Sequence, residues 1–215
     1  MASIRSNLRR AGRMQSRRAR NTVPGHDTGS RAMTEKMRIP PVEIDAMTPE
    51  QAALVGEWKH LVFSRVIVNS PRNYQWFVRW IEEVIAKTVL PPRDRQVIVM
   101  RMLWMSGDTY ERTHHIAISQ KAGLSEEEIE AFQTGTGDCL TDFDRVLIRA
   151  TDELREDQVI SDETWAALGE RYSDEQRMEV VFLAGCYITM AMLCKSFGIQ
   201  LEPDFQDFNK IREYT

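Results

Sequence analysis

The sequence predicts an all-α fold, a single helical domain of about seven to eight helices, and three observations predict it. Apolar residues recur at helical spacing, and the alternating pattern of half-buried strands is absent. Proline, serine and threonine stand where helices would begin, and glycine stands where they would end. The chain has 215 residues, 42% hydrophobic and 28% charged, which is enough to bury one sizeable core.

The first two helices follow an extended, proline-containing stretch. Thr48 followed by Pro49 is a helix-start signal, and apolar residues continue at helical spacing as far as Val62. A second helix is predicted from the motif NSPRN to about Thr88. It carries a stripe of large apolar side chains, which is typical of a core or a subunit interface. The stripe consists of Trp76, Phe77, Trp80, Ile81, Val84 and Ile85.

A third helix is predicted to begin at Pro91 and Pro92 and to end at Gly107. It is apolar on nearly all sides, so it should lie at the centre of the fold. Its two polar interior residues, Gln96 and Arg101, therefore need partners.

The remaining helices lead to a long apolar one. The fourth helix is closed by Gly123, and Ser125 with Glu128 gives the capping-box pattern of a short fifth helix. The loop QTGTGD follows, and its glycine spacing matches no phosphate-binding motif. The last three helices are predicted at residues 142–154, 161–169 and 173–197.

Positive charge is concentrated at the N-terminus. Eight of the 28 basic residues lie within residues 1–32 against one acid, which leaves 20 basic and 31 acidic residues for the rest. An acidic body repels phosphate backbones, so no nucleic-acid partner is expected. The Arg- and Ser-rich composition fits a disordered basic arm over residues 1–36, a stretch upstream of a true start at Met33 or Met37, or an organelle transit peptide. The helical domain is predicted to span residues 37–215.

Membrane and disulfide-rich classes are disfavoured. No run of 18 apolar residues occurs, so we expect no membrane partner and a cytoplasmic protein, or an organellar one if the tail is a transit peptide. The three cysteines are odd in number and lack Cys-x-x-Cys spacing, which is typical of a reducing compartment. Cys186 and Cys194 would lie about 12 Å apart on one helix, beyond the roughly 7 Å reach of a disulfide. We expect them, and Cys139, to be small buried hydrophobic residues.

The candidate chemistry lies in the segment DTYERTHH. Glu111 and His115 are four residues apart and share one helix face, so they are candidates for proton transfer near neutral pH without a cofactor. A structural alternative remains, because Asp108 and Glu111 also form a capping-box pattern in which Glu111 would only hold a backbone N–H. His114 points about 100° away from His115 and is expected at a surface or subunit contact. A metal would need a third converging ligand, so no metal site is predicted.

Four segments resemble the carboxymuconolactone decarboxylase family, whose relatives include the alkylhydroperoxidase D-like (AhpD-like) disulfide peroxidases. They are LPPRDRQVIVMRMLW, YERTHHIAISQKAGLSEEEIEAF, FDRVLIRATDEL and FLAGCYITMAMLCKSFGIQLE, which together span roughly residues 40–203. The resemblance implies an alkylhydroperoxidase D-like fold and a homo-oligomer, a trimer or hexamer.

The same resemblance bears on the chemistry. Family peroxidases carry a Cys-x-x-Cys pair before the histidine and a glutamate one helix earlier. Here Asp108 and Glu111 stand at the cysteine positions and Gln96 at that of the glutamate. A carboxylate cannot attack a peroxide as a thiolate does, so this cysteine-free branch is not expected to show peroxidase activity.

These observations predict a cofactor-independent lyase, of decarboxylase or elimination type, acting on a small organic acid, lactone or aromatic-derived compound. His115 is the expected general base or acid, with Glu111 as its partner or the second proton carrier. The alternatives are a non-catalytic ligand-binding or structural oligomer of the same fold, and a thiol peroxidase-like oxidoreductase.

The substrate is expected to meet several residues around this pair. Arg101 or Arg112 would hold a carboxylate, and the others would line the pocket or support it by hydrogen bonds. The predicted substrate-binding residues are Tyr110, Gln96, Arg101, Arg112, Trp104 and Tyr187.

Overall fold

The computed structural model of the protein describes residues 36–203, which form nine α-helices and two short 3-10 helices and include no strand. The predicted all-α class is confirmed. The predicted N-terminal arm lies outside the described residues apart from Lys36, and so do residues 204–215. The α-helices are α1 (Pro49–Val55), α2 (Val62–Ile67), α3 (Pro71–Ala86), α4 (Pro92–Ser106), α5 (Tyr110–Lys121), α6 (Glu126–Thr134), α7 (Asp142–Glu156), α8 (Asp162–Gly169) and α9 (Asp174–Phe197).

The first predicted helix is divided into three pieces, which accounts for the ninth helix. Thr48 caps α1 as predicted, because its side chain accepts a hydrogen bond from the backbone N–H of Gln51 at 3.2 Å. The chain leaves the α-helix at Gly56, whose φ of 47° favours glycine. A 3-10 turn over Gly56–His60 then leads into α2. This break places Trp58 on a turn between two helices.

Helix α4 is the centre of the domain, as its apolar sequence predicted. Helices α5, α6, α7 and α9 all pack against it. Its residues 97–100 are fully buried, and its two polar interior residues have partners. Gln96 faces α5, whereas Arg101 forms an ion pair with Asp152 of α7, with 2.5 Å between Nε and Oδ1.

Helix α9 forms the other long side of the core. Ser173 caps its beginning in a capping box with Gln176, and Gly198, with φ of 70°, ends it. Of the described helices, α9 alone is long and apolar enough to cross a membrane, but a mostly buried core helix passes the same test. Its inner face packs in the core through residues such as Leu183 and Tyr187. The apolar character of α9 therefore does not indicate a membrane protein.

The chain after α9 returns to the beginning of α2. There the carboxylate of Glu202 accepts a hydrogen bond from the backbone N–H of Val62 at 2.8 Å. This contact brings the segment after α9 next to the N-terminal end of α5, where the candidate site lies.

Candidate active site

A small cavity of about 130 Å³ is lined by residues of α2, α3, α5 and α9 and of the turn before α2. Most of its wall is apolar or aromatic. Its polar groups come mainly from one face of α5, which presents residues 110, 111, 114 and 115. Tyr187 of α9 adds a hydroxyl group. The sequence therefore predicted the correct helix for the polar side of this cavity.

Asp108 holds the beginning of α5. Its Oδ1 accepts hydrogen bonds from the backbone N–H groups of Tyr110 at 2.8 Å and Glu111 at 3.2 Å. The backbone N–H of Asp108 is bonded to the carbonyl of Leu103 at 3.1 Å, so Glu111 does not complete a capping box. Within residues 36–203, the carboxyl group of Glu111 makes no hydrogen bond or ion pair. The capping alternative therefore describes Asp108 and leaves Glu111 facing the cavity.

Glu111 has the protonation behaviour of an acid–base group. Burial raises the pKa of its carboxyl group to about 8; the negative charges of Asp108 and Glu202 act in the same direction, and His114 opposes them. A carboxyl group in apolar surroundings prefers its neutral form. Near neutral pH most Glu111 side chains therefore carry a proton, yet a small pH increase releases it.

His115 is held on both sides of its ring. Its Nδ1 lies 3.1 Å from Oε1 of Gln96, which also accepts a hydrogen bond from Ser119, and its Nε2 lies 2.8 Å from the hydroxyl of Tyr187. An amide oxygen only accepts hydrogen bonds, so we assign the ring proton to Nδ1 and the donated hydrogen at Nε2 to Tyr187. Burial, together with the nearby positive charges of His114 and Arg95, lowers the pKa of His115 to about 3. His115 is thus a neutral ring that orients Tyr187.

The structure corrects the expectation for His114, which is buried and lines the cavity. Its Nδ1 lies 2.8 Å from the carbonyl of Tyr110, and its Nε2 lies 3.2 Å from Oε2 of Glu202. Burial disfavours a charge on His114, but the hydrogen bond to Glu202 and the charge of Glu111 outweigh it and raise the pKa of His114. The rotation of about 100° from His115 points His114 towards the segment after α9 and not towards solvent.

Glu202 is the site residue that sequence reasoning missed. It joins His114 to Tyr110, whose hydroxyl donates to Glu202 Oε1 at 2.6 Å. Its pKa is lowered, because hydrogen bonds from His114 and Tyr110 outweigh the opposing effect of burial. It follows the last helix, so no local spacing pairs it with α5. The available signal was a lone acid in the apolar segment FGIQLE, where a buried carboxylate needs a partner.

Four of the six predicted substrate-binding residues do not line the cavity, and three of them, Arg101, Arg112 and Trp104, make their described contacts elsewhere. Arg101 binds Asp152 and the carbonyl of Gln133 on the α6 and α7 side of α4. The guanidinium carbon of Arg112 lies 5.0 Å from the ring centre of Trp104, which is 40% exposed. The predicted carboxylate clamp by Arg101 or Arg112 therefore does not exist in this cavity, because neither side chain faces it.

The other predicted residues are brought together. Tyr110, Glu111, His115 and Tyr187 line the cavity, and Gln96 supports His115 without lining it. Glu111 and His115 share the wall as predicted, but no hydrogen bond joins their described side chains. The closest polar partner of His115 on the cavity side is the hydroxyl of Tyr187.

The described part of the chain offers little support for thiol chemistry or for a metal site. The three cysteines are free; burial raises the pKa of Cys186 to about 12 and also raises that of Cys194. Thiols that remain protonated are poor nucleophiles, so Cys186 and Cys194 do not support the peroxidase-like alternative, and Cys139 is half-buried beside α6, away from them. Between residues 36 and 203, no three His, Cys, Asp or Glu side chains are grouped in a way that could hold a metal ion.

Residues 71–137, which extend from the beginning of α3 to the loop after α6, match the model of the carboxymuconolactone decarboxylase family. The chain has the fold of AhpD-like proteins, as solved structures show. The resemblance predicted from the sequence is thus confirmed: this segment matches the family model, and solved structures of AhpD-like proteins are similar to the chain. The comparison with curated proteins finds no match.

Three solved structures illustrate the likeness. The alkylhydroperoxidase AhpD core of a peroxidase-related protein from Ralstonia eutropha JMP134 has a TM-score of 0.69 at 14% identity, covering 78% of this chain and 93% of its own. A variant of the debrominase Bmp8 in complex with 2,3,4-tribromopyrrole has a TM-score of 0.66 at 15% identity, covering 86% and 100%. A protein of Agrobacterium tumefaciens, described as a putative antioxidant defence protein AhpD, has a TM-score of 0.58 at 20% identity, covering 62% and 92%. At these identities the likeness establishes the fold alone.

Proposed function

We propose that this protein is a cofactor-independent lyase that uses acid–base chemistry on a small organic acid, lactone or aromatic-derived compound. The observation that carries the proposal is Glu111, a buried carboxyl group that faces a cavity without a partner and has a pKa of about 8. The match of residues 71–137 to the model of the carboxymuconolactone decarboxylase family supports it. The debrominase with the same fold, in complex with a brominated pyrrole, supports small-ring chemistry in such a scaffold.

The geometry favours Glu111 as the proton carrier. A general base works best when its pKa lies near the working pH, which describes Glu111 and not His115. His115 is then a positioning residue that holds Tyr187. This role differs from the general base or acid that the sequence predicted. A hydroxyl hydrogen rotates about its C–O bond, so Tyr187 can direct its proton to His115 Nε2 or to a substrate oxygen.

An elimination would use these groups in a definite order. Ionised Glu111 removes a proton from the carbon next to a carbonyl group, and the electron pair moves onto the carbonyl oxygen. The hydroxyl of Tyr187 donates a hydrogen bond to that oxygen and stabilises the enolate. The carbonyl group then re-forms, a carbon–carbon double bond is made, and a β-hydroxyl group leaves as water with the proton returned by Glu111.

Proton removal can be measured before the physiological substrate is known. Small lactones, cyclic ketones and β-hydroxy carbonyl compounds are incubated in D₂O with the protein, and loss of the carbon-bound proton signal is followed by NMR. We expect the natural chain to accelerate exchange for at least one compound and Glu111→Gln to abolish this acceleration. Glu83→Gln is a matched control, because Glu83 is an exposed acid of α3 that pairs with Lys87. Equal exchange by the natural chain and Glu111→Gln would contradict the proposal and favour the non-catalytic, ligand-binding alternative.

We also propose that the chain forms a homo-oligomer, a trimer or hexamer as the resemblance implies. Helix α9 exposes several large apolar side chains, and α3 exposes Trp76 at 64%. Exposed apolar surfaces of this kind are typical of subunit interfaces. The exposed apolar residues of α9 are Met178, Val181, Phe182 and Met192.

Light scattering coupled to size-exclusion chromatography tests the oligomer. We expect Phe182→Glu to reduce the mass of the assembly while the helical circular dichroism signal is kept. Val159→Glu is the control, because Val159 is 61% exposed but lies outside the helices. A monomeric natural chain would contradict the proposal.

A further inference from the structure

The wall of the cavity contains acids but neither lysine nor arginine among its described residues. Glu82 of α3 and Glu111 of α5 are its two acids. His114 is the lining group that favours a positive charge, and Glu202 already holds it at 3.2 Å. His115 stays neutral, because burial lowers its pKa to about 3. The described wall of the cavity therefore offers an entering anion no cation that is not already paired.

One cation outside the wall influences the site but is engaged elsewhere. Arg95 of α4 contributes positive charge at His115 and Tyr187. Its guanidinium group donates a hydrogen bond to the backbone carbonyl of Ile85, and the side chain does not line the cavity. Arg95 therefore cannot form a direct, paired contact with a carboxylate in this arrangement.

The charges in the cavity wall favour the binding of neutral ligands over anionic ones. A carboxylate that enters the cavity loses its water and meets no free cation in the described wall that could pair with it, which is strongly unfavourable. A neutral molecule loses little hydration and gains from contact with walls such as Phe63, Ile81 and Met190. The position of Glu82 strengthens this difference, because its side chain is exposed and lies where the cavity meets the surface.

The size of the cavity sets the size of the ligand. Its volume is about 130 Å³, and an apolar protein cavity of roughly 150 Å³ is known to hold benzene. One five- or six-membered ring with a small substituent therefore fits. Glu111 and the hydroxyl of Tyr187 can hydrogen bond to a single polar group on that ring.

We infer that the cavity binds an uncharged, single-ring compound with one hydrogen-bonding oxygen, such as a lactone, a cyclic ketone or a phenol, and rejects carboxylates. The inference rests on the proposed function for the identity of the reaction centre. It narrows that function, because decarboxylation needs a carboxylate in the cavity. The reactions that remain are elimination from a neutral compound and a proton shift next to its carbonyl group.

Calorimetric titration with two probes of equal shape tests the charge selection. Benzamide and benzoate differ in charge at pH 7 but hardly in size, and phenol provides a smaller neutral probe. We expect the full-length natural chain to bind benzamide or phenol at least tenfold more tightly than benzoate. Benzoate binding as tight as that of benzamide, or no binding of either neutral probe, overturns the inference.

Two neighbouring acids of α3 provide matched variants. Both Glu82 and Glu83 are exposed, but Glu82 lines the cavity and Glu83 does not. Glu82→Arg places a cation at the cavity and should raise the affinity for benzoate at least tenfold relative to benzamide. Glu83→Arg adds the same charge outside the cavity and should leave the ratio unchanged. Unchanged ratios in both variants, or equal changes in both, overturn the inference.

The binding and exchange experiments separate the inference from the proposed function. Selective binding of neutral probes without proton exchange on any compound leaves the inference standing and contradicts the lyase. Proton exchange that depends on Glu111, together with equal binding of benzamide and benzoate, supports the lyase and overturns the inference.

Discussion

The two sides of α4 differ in how their buried acids are paired. On the side facing α6 and α7, Arg93 binds the buried carboxylate of Asp144 with 2.5 Å between Nη1 and Oδ1, and Arg101 binds Asp152 at the same distance. On the side facing α5, Gln96 is hydrogen-bonded to His115 and Ser119, and Glu111 faces the cavity without a hydrogen-bonded cation among the described residues. Both regions contain buried acids, and on the α5 side His114 pairs with Glu202, but within residues 36–203 Glu111 has no such pair.

The pKa values show what this difference means. Burial alone would raise the pKa of Asp144, but hydrogen bonds from Arg93 and Thr141 lower it below its ordinary value. Burial also raises the pKa of Glu111, and nothing comparable opposes it. A paired acid is held in one charge state and stabilises the fold, whereas an unpaired acid in a cavity can exchange its proton. The predictions below test this division.

The largest expected effect is the loss of proton exchange in Glu111→Gln. General acid–base catalysis contributes on the order of 10²–10⁴-fold to a rate, so we expect exchange to fall by about that factor. The fold should be kept, because glutamine has the same shape and ends the cost of a buried carboxyl group. Exchange rates by NMR and unfolding in urea measure the two quantities on the same samples. A strongly destabilised variant would place Glu111 with the structural acids.

On the side facing α6 and α7, breaking an ion pair should reduce stability and leave proton exchange unchanged. Arg93→Met removes the cation from Asp144, whose side chain is 1% exposed, and we expect a loss of about 3 kcal/mol in the free energy of unfolding. Proton exchange by the folded protein should not change. Arg149→Met is the control, because Arg149 pairs with Glu163 on the exposed surface and should cost under about 1 kcal/mol. Equal costs for the two variants would contradict the distinction.

The pH dependence of stability sharpens the comparison further. The pKa of Glu111 is about 8 in the folded protein against 4.5 for the ordinary group, so the folded state binds more protons between these values. Stability from this group is present below pH 4.5 and is lost as the pH rises towards 8. Between pH 6 and pH 8 the natural chain should lose roughly 2 kcal/mol relative to Glu111→Gln. Parallel stability curves from urea unfolding at each pH would show that Glu111 has an ordinary pKa.

The fold was predictable because its signals are local. Thr48 with Pro49, Ser125 with Glu128, and Gly107 mark helix ends within a few residues, and each was correctly placed. The break at Gly56 was missed, because the apolar spacing continues through it and a positive φ leaves no trace in that pattern.

The site was predictable only where its residues are close in sequence. One helix face brought Glu111 and His115 to the same cavity, and Tyr187, which was predicted to bind substrate, lines it as well. The direction of a long side chain is set by packing, so Arg101 and Arg112 were assigned to the cavity although they face elsewhere. These choices depend on how helices are rotated against each other, which sequence spacing does not give.

The smallest expected effect is that of a substitution at Glu202. It tests whether the carboxylate of Glu202 controls the protonation of His114 or is only a structural contact. Glu202→Gln keeps an oxygen that can accept from Tyr110 and Val62 but removes the charge beside His114. The pKa of His114 should then fall, since the hydrogen bond to Glu202 helps to raise it. NMR titration of the His114 ring measures the shift, and we expect a stability cost of under about 1 kcal/mol because the neutral hydrogen bonds remain.

A matched variant, Glu43→Gln, removes an exposed acid that pairs with Arg65 and should leave the His114 titration unchanged. If Glu202→Gln leaves it unchanged too, the carboxylate is a structural contact of the segment after α9 alone. If the pKa of His114 falls and exchange by Glu111 changes with it, the two α5 groups titrate as a coupled pair. The cavity side of the molecule would then contain one ion pair, His114 with Glu202, and one acid outside that pair, Glu111, that can exchange its proton.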